Sequence, residues 1–117
     1  MPARRILILV TGDPMTSARP GEAIRMALGL GSGSHTVSVV LRGPAAGLLF
    51  PDAEDSACAD EVEHYLPPLA ETLDPGFYVE RSGLDGREVA ESAYPIVPVE
   101  AAEIAALAAQ ADRVILF

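Results

Sequence analysis

The run Ile6-Leu7-Ile8-Leu9-Val10 constrains the fold more than any other part of the chain. A strand with one face in water alternates apolar and polar side chains, whereas a run that is apolar at every position needs cover on both faces. Such strands belong to parallel sheets clothed by helices. The first element, a strand over Arg5–Val10 ended by Thr11-Gly12-Asp13-Pro14, therefore points at once to an α/β fold. The rest of the chain keeps the alternation. A helix is predicted over Pro20–Leu30: Pro20 suits a first turn, where its missing N–H costs nothing. Ile24, Ala27, Leu28 and Gly31 share one face of it, and Gly29, Gly31 and Gly33 stop it. A second strand follows over Thr36–Leu41, then a short helical turn over Ala45–Phe50. Val62, Tyr65, Leu66, Leu69 and Leu73 fit the helical period, so Asp52–Leu73 reads as one helix kinked or broken at Pro67-Pro68. Asp74-Pro75-Gly76 turns the chain into a third strand, Phe77–Arg81. A turn over Gly83–Gly86 and a brief helix over Arg87–Ser92 come next. Tyr94–Val97 reads as a fourth strand, confined by Pro95 and Pro98 to an edge or a bulge. A helix over Glu100–Ala111, buried on Ile104, Leu107 and Ala111, leads to a last strand, Arg113–Phe117. The predicted fold is a three-layer α/β/α body around a mainly parallel five-stranded sheet. In such sheets, sites lie in the loops after the strands' carboxyl ends.

A chain of 117 residues, half of them hydrophobic, is expected to form one domain over its full length with one real core. Scaling relations put roughly 18,000 Å² in water when it is unfolded and roughly 6,000 Å² when folded. The aliphatic run at the N-terminus has five residues against the roughly 20 that span a membrane. Arg4 and Arg5 before it faintly mimic a secretory signal, but the run meets Thr11, Gly12 and Asp13 at once. A cytoplasmic location is the resulting expectation. Seventeen acidic side chains against eight basic ones give a net charge of −9, and every basic residue is Arg. That field repels nucleic acid and anionic lipid, which are not expected as partners. Cys58 is the lone cysteine and closes no disulfide within the chain. With two His beside it, no structural zinc site forms without carboxylates, and no metal or cofactor is expected.

Three places on the chain carry candidate chemistry. The loop Thr11–Arg19 leads into a helix N-terminus, where amide groups bind anions. Thr11, Gly12, Ser17 and Arg19, with Thr16, are its candidate contacts to a phosphate or a sulfur oxyanion, and Asp13 opposes one. The loop has neither a Walker nor a GxGxxG pattern, and its other reading is an ordinary strand-to-helix connection. Arg42 and Gly43 follow the second strand, and Arg81 and Ser82 follow the third. If those strands are parallel neighbours, two guanidinium groups reach one rim, as an oxyanion clamp or as surface partners of the abundant acids. Cys58 is the one possible nucleophile, crowded by Asp52, Glu54, Asp55, Asp60 and Glu61, which raise a thiol pKa. Its other reading is a small packing residue. His35 falls at the amino end of the sheet, away from the expected site. His64, with Asp60 and Glu61 a turn before it, reads as a solvated helix face or as part of a metal-binding face. The alanines of Glu100–Ala111 suit either close packing on the sheet or on another subunit, or helix propensity alone.

Three segments, in this order, resemble the DsrE/DsrF-like sulfur-relay family. They are Ile6 to Pro14 (ILILVTGDP), Ala27 to Arg42 (ALGLGSGSHTVSVVLR) and Ala111 to Phe117 (ADRVILF). With the order of elements, the resemblance covers nearly the whole chain. It implies the three-layer fold, a homotrimer or hexamer, and a cytoplasmic role connected with sulfur transfer. Sulfur-carrying members place a Cys at or just after the third strand. Here that place is Val79-Glu80-Arg81-Ser82-Gly83, without sulfur. The leading expectation is a subunit without the carrier cysteine that binds a small anionic or sulfur-containing ligand, or a partner protein. Two alternatives stand beside it: a persulfide carrier or sulfurtransferase using Cys58, and a nucleotide- or phosphate-binding module.

Overall fold

The computed structural model describes residues 3–117. Five strands form one sheet in the order β4-β3-β2-β1-β5, with β1 Arg5–Val10, β2 Thr36–Leu41, β3 Phe77–Glu80, β4 Ile96–Val99 and β5 Arg113–Leu116. Every pairing is parallel. The strand that is apolar throughout lies inside, between β2 and β5, as its composition requires. Ile6, Ile8 and Val10 join the core on one face, and Leu7 joins the core on the other. Burying side chains of this size stabilises the fold by about 1.5–3 kcal/mol each.

The first face is covered by α1 (Arg19–Gly31), α2 (Ala59–His64) and α3 (Leu66–Thr72). On α1, Pro20 sits in the first turn as expected, and Ala23, Ile24 and Ala27 are buried. The helix expected over Asp52–Leu73, kinked or broken and restarted at Pro67-Pro68, is three pieces: a 3-10 turn over Pro51–Asp55, then α2, then α3. The break falls at Tyr65, ahead of the proline pair. Leu66, Pro67 and Pro68 thereby become the first residues of a new helix, where backbone N–H groups have no intrahelical acceptor to lose. Leu66 and Leu69 stay fully buried on either side of the prolines, so the apolar period runs on although the helix does not.

β4 lies two residues later than Tyr94–Val97, and β3 ends at Glu80. The Pro95 carbonyl accepts a hydrogen bond from the Phe77 amide, just before β4 begins. Pro98 falls inside β4, which its place at the sheet edge allows.

The second face carries α4 (Ala101–Gln110) alone. Glu100 and Glu103 close a reciprocal capping box at its start. Ile104 is buried against Leu7, Val40 and Val99, while Leu107 and Ala111 are half-buried. Val114 and Leu116 of β5 remain 43% and 67% exposed. Their register partners are Leu7 and Leu9, so they belong to this same thinly covered face.

The loops after β2 and β3 meet glycine to glycine. A side-chain carbon added at Gly83 would stand 2.7 Å from the Gly43 carbonyl oxygen and 2.9 Å from its nitrogen, and Gly43 itself has φ +54°. Gly29, exposed inside α1, has nothing within 4 Å of the same added carbon. Alanine is therefore expected to act with opposite sign at the two positions. Gly83→Ala should lower stability by about 1–3 kcal/mol through overpacking against backbone. Gly29→Ala should raise it by about 0.5–1 kcal/mol through helix propensity. Thermal unfolding of both variants checks the pair.

Candidate functional site

The carboxyl ends of β1, β2 and β3 open into a cleft of about 690 Å³. Asp13, Pro14 and Met15 form one side, and Gly43, Pro44 and Gly47 the next. Asp52 with the segment Ser82–Arg87 and Glu91 completes it. One charged pair organises the lining. Arg87 donates two parallel hydrogen bonds to Asp52, Nη1 to Oδ1 and Nη2 to Oδ2, both 2.8 Å. Its guanidinium also lies 4.7 Å over the Phe50 ring. Hydrogen bonding from Arg87 holds the Asp52 carboxyl below its ordinary pKa, against the opposing effect of partial burial. The pair ties the β3–β4 connection to the segment after β2. Sequence spacing offers no hint of it, because the partners are 35 residues apart.

Of the eight residues expected to contact a ligand, Gly43 and Ser82 line this cleft. The others serve the fold. The amide and hydroxyl of Thr11 both donate to the Phe117 carbonyl, at 2.8 and 3.2 Å. Gly12 lies close to the Pro20 ring. The Ser17 hydroxyl accepts the Arg19 amide at 3.1 Å, and the Arg19 guanidinium sits 5.5 Å from the centre of the Phe117 ring. The expected oxyanion clamp is not assembled. Arg42 bonds Glu80 through Nη2 at 2.9 Å, and Arg81 bonds Glu100 through Nε at 2.8 Å. Each guanidinium is matched by its own carboxylate, the surface pairing weighed against the clamp. Ser82 donates to the other Glu80 oxygen at 3.2 Å.

The carboxylates missed as site residues set the cleft's electrostatics. Asp13, Asp52, Asp85 and Glu91 face one guanidinium, and Asp52 already neutralises that one. The lining is acidic and opposes an anionic ligand. Asp13 is further fixed by its loop: Oδ1 accepts the Met15 amide at 2.9 Å, and its carbonyl accepts the Ser17 amide at 2.9 Å.

Cys58 lies elsewhere. It has no exposed surface, and its Sγ donates to the Ser17 carbonyl at 3.3 Å. Desolvation pushes the thiol pKa up, assisted by the Glu61 charge and opposed by the Gly21 amide. A catalytic role for Cys58 therefore lacks both access and a ready thiolate, and its place in the core is that of a packing residue. His35 accepts the Arg4 amide at the amino end of the sheet, and the His64 ring bonds the Asp60 carbonyl. Among the described residues no three His, Cys, Asp or Glu side chains are arranged to hold a metal ion. Among the described residues no helix is long and apolar enough to cross a membrane.

Two measurements check this arrangement. Asp52→Asn should destabilise the fold modestly, by up to about 1 kcal/mol for a half-exposed pair. The depressed Asp52 pKa gives stability that is present above the ordinary value of 3.8 and lost as pH falls through the folded value. The difference between Asp52→Asn and wild type should thus fade in acid. For Cys58 the sign reverses: its raised pKa preserves stability below the ordinary 9.0, and that stability is lost as pH rises. Alkylation of Cys58 should be slow in the folded chain and become rapid on unfolding. Rapid labelling of the native protein near neutral pH would contradict the burial.

Comparison with known proteins agrees with the architecture. No curated protein matches the chain. The crystal structure of the YchN protein from E. coli superposes with a TM-score of 0.76 at 19% sequence identity, covering 97% of this chain and 99% of that one. At that identity the fold is what is shared. The DsrE/DsrF-like family model matches residues 4–117, nearly the whole length, and with the all-parallel five-stranded sheet this makes the chain a member of the DsrE/DsrF-like family.

Proposed function

We propose that this protein acts in cytoplasmic sulfur relay as a subunit that holds no sulfur covalently, and that its carboxyl-end cleft receives a small sulfur-containing ligand or a partner protein. One observation carries the reading: the corner after β3, where sulfur-carrying relatives are expected to place a cysteine, presents Ser82 at the cleft. A persulfide forms on a thiolate, and a serine hydroxyl has no sulfur to extend. The only thiol, on Cys58, is buried with a raised pKa. The acidic lining favours a neutral or cationic ligand over the anionic one also considered from sequence.

Assembly into a trimer or hexamer is part of the same proposal. The second face of the sheet supports it. Ala102, Ala105, Ala106 and Ala109 of α4 are exposed beside Val114 and Leu116. In a chain of net charge −9, this is a low-charge surface on which copies can meet with little repulsion. Small side chains let a helix approach its neighbour closely, and a stable contact needs about 800 Å² from each partner.

Intact-mass measurement after incubation with a persulfide donor tests the chemical half. Wild type is expected to gain no sulfur, and Ser82→Cys to gain it at the installed thiol. Stable sulfur on wild-type Cys58 would overturn the reading. Sedimentation tests the assembly: Leu116→Glu should shift an oligomer toward monomer, and a wild type that sediments as a monomer removes this half.

A further inference from the structure

A second concavity, of about 570 Å³, lies on the helical side of the segment after β2, and the reading of the cleft does not use it. Its walls are Leu48, Leu49 and Phe50, Val62 of α2, Pro67 of α3 and Tyr94 before β4. The walls are held in place. The Leu49 carbonyl accepts the Ala93 amide at 2.9 Å and the Ser92 hydroxyl at 3.3 Å, and that hydroxyl accepts the Tyr94 amide at 3.1 Å. Phe77 braces the Tyr94 ring edge to face, with centroids 6.1 Å apart. Among the described residues the Tyr94 hydroxyl makes no hydrogen bond within the chain. Two carboxylates, Glu54 from the 3-10 turn and Glu63 from α2, stand at the lining, and no cation lines it. Neither forms an ion pair among the described residues.

We infer that this groove docks a short segment of a partner protein in which apolar side chains are flanked by Lys or Arg. Leu48, Leu49 and Phe50 are buried and form the floor, while Pro51, Val62, Pro67 and Tyr94 keep the exposed apolar surface that a segment would bury, and the braced aromatic and proline walls keep the entropic cost of ordering the groove low. Glu54 and Glu63 supply charge complementarity that selects a basic flank and speeds encounter. A second copy of this chain is opposed here, because it would bring its own net charge of −9 to an acidic rim. The groove and the cleft share one wall. Gly47 and Asp52 line the cleft, Leu48 to Pro51 line the groove, and Phe50 meets the Arg87 guanidinium of the cleft's ion pair. A docked segment therefore sits one side chain away from the cleft.

Three labelled decapeptides test the proposal by fluorescence anisotropy against the full chain. One carries Leu and Phe flanked by Lys, the second replaces Lys with Glu, and the third keeps Lys but replaces Leu and Phe with Ser. The first should bind about tenfold or more tighter than either control. Its affinity should fall by a similar factor in the double variant Glu54→Lys, Glu63→Lys, whose exposed sites leave folding intact by circular dichroism. Amide shifts on binding should centre on Leu49, Val62 and Tyr94. Equal binding of the Ser-containing peptide would mean general attraction to an acidic body and overturn the proposal. So would equal binding of the Glu-containing peptide, shifts centred on α4 and β5, or a change in oligomeric state in the double variant, which would assign the groove to a second copy.

Discussion

The structure depends on the need to dry both faces of β1. Five consecutive apolar side chains leave this strand no face to give to water. It must lie within the sheet, with helices above and below, and the chain order follows from that. α1 returns over one face so that β2 can pair with β1. After β3 and β4 have extended the sheet on that side, α4 crosses the other face and delivers β5 to β1's free edge. The two covers are unequal. Three helices bury the first face, and one alanine-rich helix covers part of the second. The carboxyl ends of β1 to β3 are left as the place where loops of different origin converge, and the cleft is there.

Charge shapes that cleft in a way that composition only half reveals. Eight arginines among seventeen acids could have formed an anion site, but the fold engages five of them with its own carboxylates and rings. Arg25, Arg42, Arg81 and Arg87 each meet a carboxylate, and Arg19, Arg25 and Arg87 also lie over aromatic rings. Exposed pairs of this kind are individually weak, at about 0–1 kcal/mol. Their larger effect is on recognition, because a guanidinium already matched to a carboxylate offers little net charge to a phosphate or sulfonate.

How far the sequence could be read depended on the range of the determining interaction. The bounds of β1 and β2 were legible because apolar runs and turn residues mark them locally. So was α4, from its acidic first turn and the Ile104 period. In the stretch Asp52–Leu73 the break and restart beside Pro67-Pro68 was legible from the prolines, but the separation of the 3-10 turn Pro51–Asp55 from α2 was not. Leu66 and Leu69 keep their buried positions by restarting the helix at the prolines, which periodicity alone does not distinguish from a kink. At the site, the cleft's location followed from topology, but its chemistry did not. Arg42 meets Glu80 because the register Leu41 to Val79 places the next residues of the two strands side by side. That register exists only after the sheet has formed. Asp52 meets Arg87, as Gly83 meets Gly43, across loops distant in sequence, contacts with no local signature.

The same loop contact helps hold the corner after β3 with no sulfur in it. Gly83 rests on Gly43, Ser82 bonds Glu80, Glu80 bonds Arg42, and Arg87 is clamped by Asp52. None of these interactions requires sulfur at the residue after Arg81. The serine there donates a hydrogen bond to Glu80 at 3.2 Å. Covalent chemistry and architecture are thus separable at this corner. The glycine contact and the ion pairs hold the loops that line the cleft.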